Sequence, residues 1–258
     1  MGSVSFQPSE LAKPTLIVLL AWFLGQKNRL VEEWRTLIAP AAVTLVLTGL
    51  IAAQPDLGTA VTLFAIGSTM LFAAGVRLKY YLYPLAASPI AFYYFVYRVP
   101  WRWERILAFI HPVKYQHGRS HQLFQSLVAV GSGGMTGAGL MEGKQKLFFL
   151  PEPHTDFIFA TVAEEWGLLG ALAVILLFGT LCYRGLRSAT LTRDPFARFL
   201  ATGITAMVAI QALFNISVVV GLLPTKGIPL PLISYGGSSL FVTLAAVGVL
   251  LNITREMD

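Results

Sequence analysis

Apolar residues run in long blocks along this chain, and short polar segments separate the blocks. A membrane-spanning helix needs about 20 mostly apolar residues. Seven blocks come near or above that length, although the fourth is rich in tyrosine and proline. They are Leu11–Gly25, Leu37–Ala53, Leu57–Val76, Tyr80–Tyr97, Phe157–Tyr183, Phe199–Leu223 and Ile233–Ile253. The pattern therefore predicts an all-α polytopic membrane protein with about seven transmembrane helices.

Composition supports a membrane protein and excludes two other classes. The 258 residues are 55% hydrophobic and 12% charged, whereas a soluble domain carries about 25% charged residues. The single cysteine, Cys182, lies inside an apolar block and excludes an internal disulfide framework. A net charge of +6 would suggest nucleic acid in a soluble protein. Basic cytoplasmic loops explain it here, and we expect no nucleic-acid partner.

The loops between the blocks differ in positive charge, and this difference orients the spans. The basic segments are 26–35, 77–79, 184–198 and the C-terminal tail. The alternating short loops, 54–56 and 224–231, hold only Lys226. Because cytoplasmic loops carry an excess of Lys and Arg, we expect the basic segments in the cytoplasm.

One long segment, 98–155, falls on the opposite side of the membrane in this orientation. It forms a large extracytoplasmic loop within a single transmembrane domain that covers 1–258. The same orientation places Met1 outside the cell, although no signal peptide precedes the first span. We therefore expect the sequence to be truncated at its N-terminus.

Glu10 and Lys13 bring opposite charges to the start of the first span. Because they are three residues apart, they share one face of a helix. Charges facing lipid are costly, so both side chains should point into the helix bundle. The pair either fixes helix packing or forms one wall of a substrate cavity.

A glycine-rich segment, 131–139, resembles a phosphate-binding loop in composition only. A nucleotide site would need a surrounding βαβ unit and a following Gly-Lys-Ser/Thr, and both are absent from the sequence. The glycines favour tight turns and close backbone packing. Exposed N–H groups in this segment could also hold a pyrophosphate, with added charge from Lys144 and Lys146.

Asp156 stands where the polar loop meets the longest apolar block. An acid at that border is costly unless it is paired or used, although Thr155 or Asp156 could simply cap the helix. Glu164 follows eight residues later, about 80° from Asp156 around a helix. Two acids on one face predict a polar cavity. His154 would tune the acid or bind lipid headgroups.

The segment 223–239 is both apolar and helix-breaking, because it contains three prolines and three glycines. Non-helical backbone at membrane depth must be covered by protein or line a water-filled cavity.

Four sequence strings resemble the SEDS family, whose members include FtsW, RodA and SpoVE. The strings are FQPSELAK at Phe6–Lys13, QPDLGTA at Gln54–Ala60, QKLFFLPEPHTDFIF at Gln145–Phe159 and LLPTKGIPLPLISYGGSSL at Leu222–Leu240. The PTKG string favours FtsW, the division member. The resemblance implies a ten-span bundle, of which this chain would hold the last seven spans.

The resemblance also implies a function and a location. SEDS proteins polymerise lipid II, the undecaprenyl-pyrophosphate-linked disaccharide pentapeptide, on the outer face of the bacterial cytoplasmic (inner) membrane. They work with a class B penicillin-binding protein transpeptidase, and FtsW works with other divisome proteins. The essential acid of the HTDFIF string corresponds to Asp156. The acid and base of the FQPSELAK string correspond to Glu10 and Lys13.

The chemistry of glycan polymerisation agrees with these residue types. The attacking sugar hydroxyl needs one base, and the departing pyrophosphate needs cations or N–H donors. Asp156 suits the first task, or it could bind a divalent cation such as Mg²⁺ or Mn²⁺. Candidate substrate-binding side chains are Lys144, Lys146, Lys226, Arg102, Arg105, Gln122, Gln125, His154 and Glu164.

Two departures from the family pattern stand in the long loop. His111-Pro112 occupies a place where Asp-Pro is frequent, and His121-Gln122 occupies a place where Tyr-Gln is common. A third departure is the absence of the first three spans. Because those spans would cover inward-facing charges, we expect the 258-residue chain to be inactive alone.

Two other classes of function fit the same pattern. A bundle with a polar cavity and broken helices also describes a lipid II flippase or another transporter. The chain could also be a non-catalytic scaffold or inactive fragment of the divisome. Polymerisation of purified lipid II separates these classes, because a flippase moves lipid without making glycan and a scaffold does neither.

Overall fold

The computed structural model describes residues 7–26, 34–115, 118, 120–145 and 154–255, with the side chains of 34–36 excepted. All regular secondary structure in these residues is helical. The α-helices are α1 (Pro8–Gln26), α2 (Trp34–Ala53), α3 (Leu57–Ala73), α4 (Leu82–Phe92), α5 (Pro100–Ile110), α6 (His121–Gly133), α7 (Ile158–Leu191), α8 (Pro195–Val219) and α9 (Gly237–Arg255). The predicted all-α membrane class is confirmed.

Three helices of the described chain are long and apolar enough to cross a membrane. They are α7, α8 and α9, with 34, 25 and 19 residues. These helices correspond to the last three predicted spans. Apolar stretches at Leu37–Ala53 and Leu57–Ala73 are shorter. The count of seven spans stays a prediction.

The fourth predicted span, Tyr80–Tyr97, is helical but changes type twice. A 3₁₀ turn at Leu78–Tyr81 precedes α4, and a π-helical turn at Tyr93–Tyr97 follows it. Pro89 lies inside α4 and lacks the N–H that an α-helix needs, which disturbs the hydrogen-bond pattern. A π-helical turn is rare in proteins and occurs mostly as a single turn next to α-helical residues, as it does here.

The segment predicted as one polar loop, 98–155, contains two helices. Helix α5 begins at Pro100, whose missing N–H costs nothing at a first helical position. Helix α6 buries Leu123, Ser126, Ala129 and Gly133, a spacing that places one stripe against the protein. The sequence interpretation missed α6 because only half of this stripe is apolar.

The chain divides into two compact units. The first unit contains 1–77, 177–212 and 231–258, and the second contains 78–176 and 213–230. In the first unit, α1 supplies a fully buried apolar stripe, Leu16, Ile17, Leu20 and Leu24. Asp56 caps α3 in the same unit, because its side chain accepts hydrogen bonds from both the N–H and the hydroxyl of Thr59.

In the second unit, a kink interrupts α7 at Gly167. Its backbone angles are φ 63° and ψ −158°, a conformation that favours glycine. The interruption leaves helix carbonyl and N–H groups without their usual partners, and the glycine-rich segment 133–139 supplies new ones. Four backbone hydrogen bonds join them: Ala138 N to Glu164 O (2.9 Å), Gly139 N to Glu165 O (3.1 Å), Leu168 N to Gly134 O (2.9 Å) and Leu169 N to Met135 O (3.3 Å).

This close packing decides the role of the glycine-rich segment. A Cβ atom on Gly137 would collide with the carbonyl oxygen of Glu165, so only glycine fits there. The N–H groups of Ala138 and Gly139 are already donated to α7. The tight-packing interpretation therefore applies, and those two groups are not available to hold a pyrophosphate.

Candidate functional site

Asp156 lies in a turn immediately before α7, in the second unit. Residues 154–157 form the turn, and the helix begins at Ile158. The Asp156 side chain is half-buried, whereas Phe157 is buried. The helical-face relation predicted between Asp156 and Glu164 is therefore wrong, because Asp156 stands outside the helix that carries Glu164.

A buried amide ties the Asp156 turn to the loop after α8. The Asn215 side chain donates one hydrogen bond to the carbonyl oxygen of Asp156 at 2.7 Å. Its second hydrogen bond goes to the carbonyl oxygen of Ile228 at 2.8 Å. Asn215 is 2% exposed. These two bonds bring the loop after α8 against the turn that carries the acid.

The Asp156 carboxylate lies directly against the backbone of this loop. A Cβ atom built on Gly227 would stand 2.5 Å from Asp156 Oδ2. Any side chain at Gly227 would therefore displace the carboxylate. Lys226 precedes Gly227 and is half-buried, so an acid and a cation belong to adjoining backbone segments. The backbone segments that carry these two predicted residues therefore lie side by side.

Glu164 is buried on α7 and binds the segment that follows the glycine-rich region. Its Oε1 accepts hydrogen bonds from the backbone N–H groups of Lys144 (2.8 Å) and Gln145 (3.0 Å). Glu165 Oε2 accepts another from the N–H of Met141 at 3.2 Å. Both acids therefore fasten segment 141–145 to α7. The Lys144 side chain is exposed, and Lys146 lies outside the described residues.

Three further substrate-binding candidates differ in exposure and contacts. His154 is exposed and Gln122 is half-buried on α6. Gln125 Nε2 lies 3.4 Å from His121 Nε2 on the same helix.

Arg102 and Arg105 flank one aromatic ring. Their guanidinium carbons lie 4.8 Å and 5.1 Å from the centre of the Trp101 ring. Arg102 Nη1 also donates to the carbonyl oxygen of Phe95 at 2.8 Å. Desolvation and the neighbouring Arg105 charge lower the pKa of Arg102, although an arginine stays charged at neutral pH.

The predicted Glu10–Lys13 pair forms in the first unit. Lys13 Nζ lies 2.7 Å from Glu10 Oε1 and 2.8 Å from Oε2, and both side chains are buried. Both residues belong to α1, so the contact is an ion pair within one helix, and a role in helix packing stays a prediction. A role in a cavity wall stays a prediction.

Among the described residues, no three His, Cys, Asp or Glu side chains gather closely enough to hold a metal ion.

Two residues of this site were missed in the sequence interpretation. Asn215 is a polar residue near the end of an apolar helix, and such residues are expensive unless used. This feature of the sequence could have identified Asn215 as a functional candidate. Gly227 gave no signal beyond its place in a helix-breaking loop, because its contact depends on the fold.

Comparison with known proteins gives a consistent result. A family model described as "Cell cycle protein" and covering FtsW, RodA and SpoVE matches residues 1–258. A probable peptidoglycan glycosyltransferase FtsW of Geobacter metallireducens is 48% identical, over 98% of this chain and 68% of that protein. Stage V sporulation protein E of Bacillus subtilis is 43% identical, over 99% of this chain and 70% of that protein.

A solved structure shares the fold. It is described as showing structural coordination of polymerization and crosslinking by a peptidoglycan synthase complex. The TM-score is 0.80 at 30% sequence identity, and the match covers 100% of this chain and 72% of the other.

Proposed function

This chain belongs to the family of FtsW, RodA and SpoVE, and from that premise we propose that it is a peptidoglycan glycosyltransferase that polymerises lipid II during cell division. The observation that carries the proposal is the Asp156 carboxylate, which is half-buried just before α7 and lies close to the Gly227 backbone. The 48% identity to a probable FtsW supports the division role.

Asp156 acts as the base of the reaction. The 4-hydroxyl oxygen of the acceptor sugar attacks the anomeric carbon of the donor sugar, and its proton passes to the Asp156 carboxylate. The bond from that carbon to the pyrophosphate oxygen breaks, and its electron pair leaves with undecaprenyl pyrophosphate. One carboxylate suffices for this single displacement with inversion, because pyrophosphate leaves as a stable anion, whereas glycosidases need a second carboxyl group to protonate the leaving sugar oxygen.

Lys226 stabilises the negative charge of the departing pyrophosphate. The negative charge on the leaving group grows in the transition state, and a cation fixed nearby stabilises it. Lys226 adjoins Gly227, whose backbone touches Asp156. Its half-burial strengthens the attraction, because water screens the charge less than at a fully exposed site. The exposed Lys144 is the second candidate for this role.

The reaction takes place on the outer face of the bacterial cytoplasmic membrane, as the loop charges predict. The protein acts with a class B penicillin-binding protein, which crosslinks the new glycan. The structural likeness to a peptidoglycan synthase complex supports such a partner.

The test is polymerisation of purified lipid II by the full-length protein with Asp156→Asn. This change keeps the side-chain size and removes the base, so we expect folded protein that makes no glycan. Glu142→Gln is the matched control, because Glu142 is an exposed acid of the same unit, and it should polymerise normally. Wild-type polymerisation by Asp156→Asn would overturn the assignment. Lipid transfer between leaflets without any glycan from the wild type would identify a flippase instead.

A further inference from the structure

Asn215 joins the two segments of the Asp156 site, and the reaction described above gives it no role. Both amide hydrogens are used, one on the carbonyl oxygen of Asp156 and one on that of Ile228. Its Oδ1 atom is buried and accepts no hydrogen bond from the described residues. The side chain therefore acts only as a double donor, although an amide could also accept.

These two hydrogen bonds fix the distance between the carbonyl oxygens of Asp156 and Ile228. A planar amide can satisfy two carbonyl oxygens only when their separation matches its own two N–H directions. The Asp156 carbonyl lies 59 residues away in the chain and the Ile228 carbonyl lies 13 residues away. One rigid group thus sets how closely the Asp156 turn approaches the loop that contains Gly227.

We propose that Asn215 is a positioning residue for glycan polymerisation, which holds the Asp156 carboxylate against the Gly227 backbone in the orientation that the base requires. The inference rests on the proposed function of Asp156. A misplacement of about 1 Å can cost about 100-fold in rate. Loss of the amide therefore slows the chemical step more than it weakens substrate binding.

Ser126 provides a matched control for a purely structural role. Its hydroxyl is fully buried and donates to the carbonyl oxygen of Val219 at 2.8 Å, at the end of the same helix α8. Ser126→Ala and Asn215→Ala both remove a buried side-chain donor from a backbone carbonyl in the second unit. Only Asn215→Ala releases the Asp156 turn.

The experiment measures kcat and KM for purified lipid II on monodisperse, full-length variants. In Asn215→Ala, a water molecule can enter and donate to both carbonyls, so the fold persists while the rigid link is lost. We expect kcat to fall about 10- to 100-fold with KM within about twofold. Ser126→Ala should keep the wild-type kcat. A wild-type kcat in Asn215→Ala, or an equal fall in Ser126→Ala, would overturn the proposal.

Gly227→Ala decides the question if Asn215→Ala does not fold. The added Cβ would stand 2.5 Å from Asp156 Oδ2 and push the carboxylate from its place while the Asn215 bonds stay. We expect the same fall in kcat, whereas Gly237→Ala, which meets open space, should be normal. A folded Gly227→Ala with wild-type kcat would refute the positioning role.

Asp156→Asn separates failure of this inference from failure of the proposed function. If Asp156→Asn polymerises normally, the proposed function fails, whatever Asn215→Ala does. If Asp156→Asn is inactive and Asn215→Ala is normal, only the positioning role fails.

Discussion

Two acids near helix starts, Glu10 in the first unit and Asp156 in the second, are treated differently by the protein. Glu10 is 4% exposed, and the ammonium group of Lys13 lies within 2.8 Å of both its oxygens. Asp156 is half-buried, and a neutral amide and a glycine hold its segment in place. The buried acid is held by a cation of its own helix, whereas the turn that carries the half-buried acid is held through its backbone by a residue distant in the chain.

The largest expected effect is on the rate at Asp156. Asp156→Glu keeps the charge but moves the carboxylate by one methylene, and the Gly227 backbone leaves no room on that side. We expect kcat for lipid II polymerisation to fall about 100-fold or more, since the base loses its alignment. Near-normal turnover would show that the carboxylate needs charge without fixed position.

The next largest effect is a loss in the free energy of unfolding when Glu10 or Lys13 is replaced. Glu10→Ala or Lys13→Ala leaves one buried charge without its partner, which costs about 3–5 kcal/mol. Thermal unfolding in detergent should detect the loss. The exchange Glu10→Lys with Lys13→Glu should restore part of it, because opposite charges again share one helix face. Single variants as stable as wild type would mean that the pair contributes nothing to the fold.

Glu164→Gln should have a smaller effect. The amide oxygen can still accept the N–H groups of Lys144 and Gln145, but the charge that strengthens these hydrogen bonds is lost. We expect a loss of about 1.5–3 kcal/mol in the free energy of unfolding. The kcat of the folded fraction should stay normal. A rise in KM without a change in stability would instead assign Glu164 to substrate binding.

The smallest expected effect is that of chelation. If Asp156 acts as a base, EDTA should leave the polymerisation rate unchanged. A rate that falls with EDTA and returns with Mg²⁺ or Mn²⁺ would support a metal at Asp156 instead.

How far the sequence predicts this molecule depends on the kind of contact. Helices α7, α8 and α9 follow from apolar length alone, and the Glu10–Lys13 pair follows from helical spacing. Both signals are local. The hydrogen bond from Asn215 to Asp156 joins residues 59 positions apart in the sequence. A pattern of neighbouring residues cannot predict a contact over that separation.

The changes of helix type around α4 were missed for a different reason. Proline positions show that the hydrogen-bond pattern must change there, but they do not say whether a 3₁₀ turn, a π-turn or a bend will result. The role of Asp156 in catalysis stays a prediction, because the geometry fits a base and a metal ligand alike.

The kink of α7 has a consequence for how this protein could vary or be engineered. Segment 133–139 completes the hydrogen bonding of a helix that starts 19 residues further along. Unpaired backbone groups at membrane depth are costly. An insertion or deletion in this segment would break its hydrogen bonds to α7, so the length of the segment is constrained. Insertions, epitope tags or fluorophore sites should be tolerated better around the exposed residues Val113 and Gly118 than anywhere between Gly133 and Gly139.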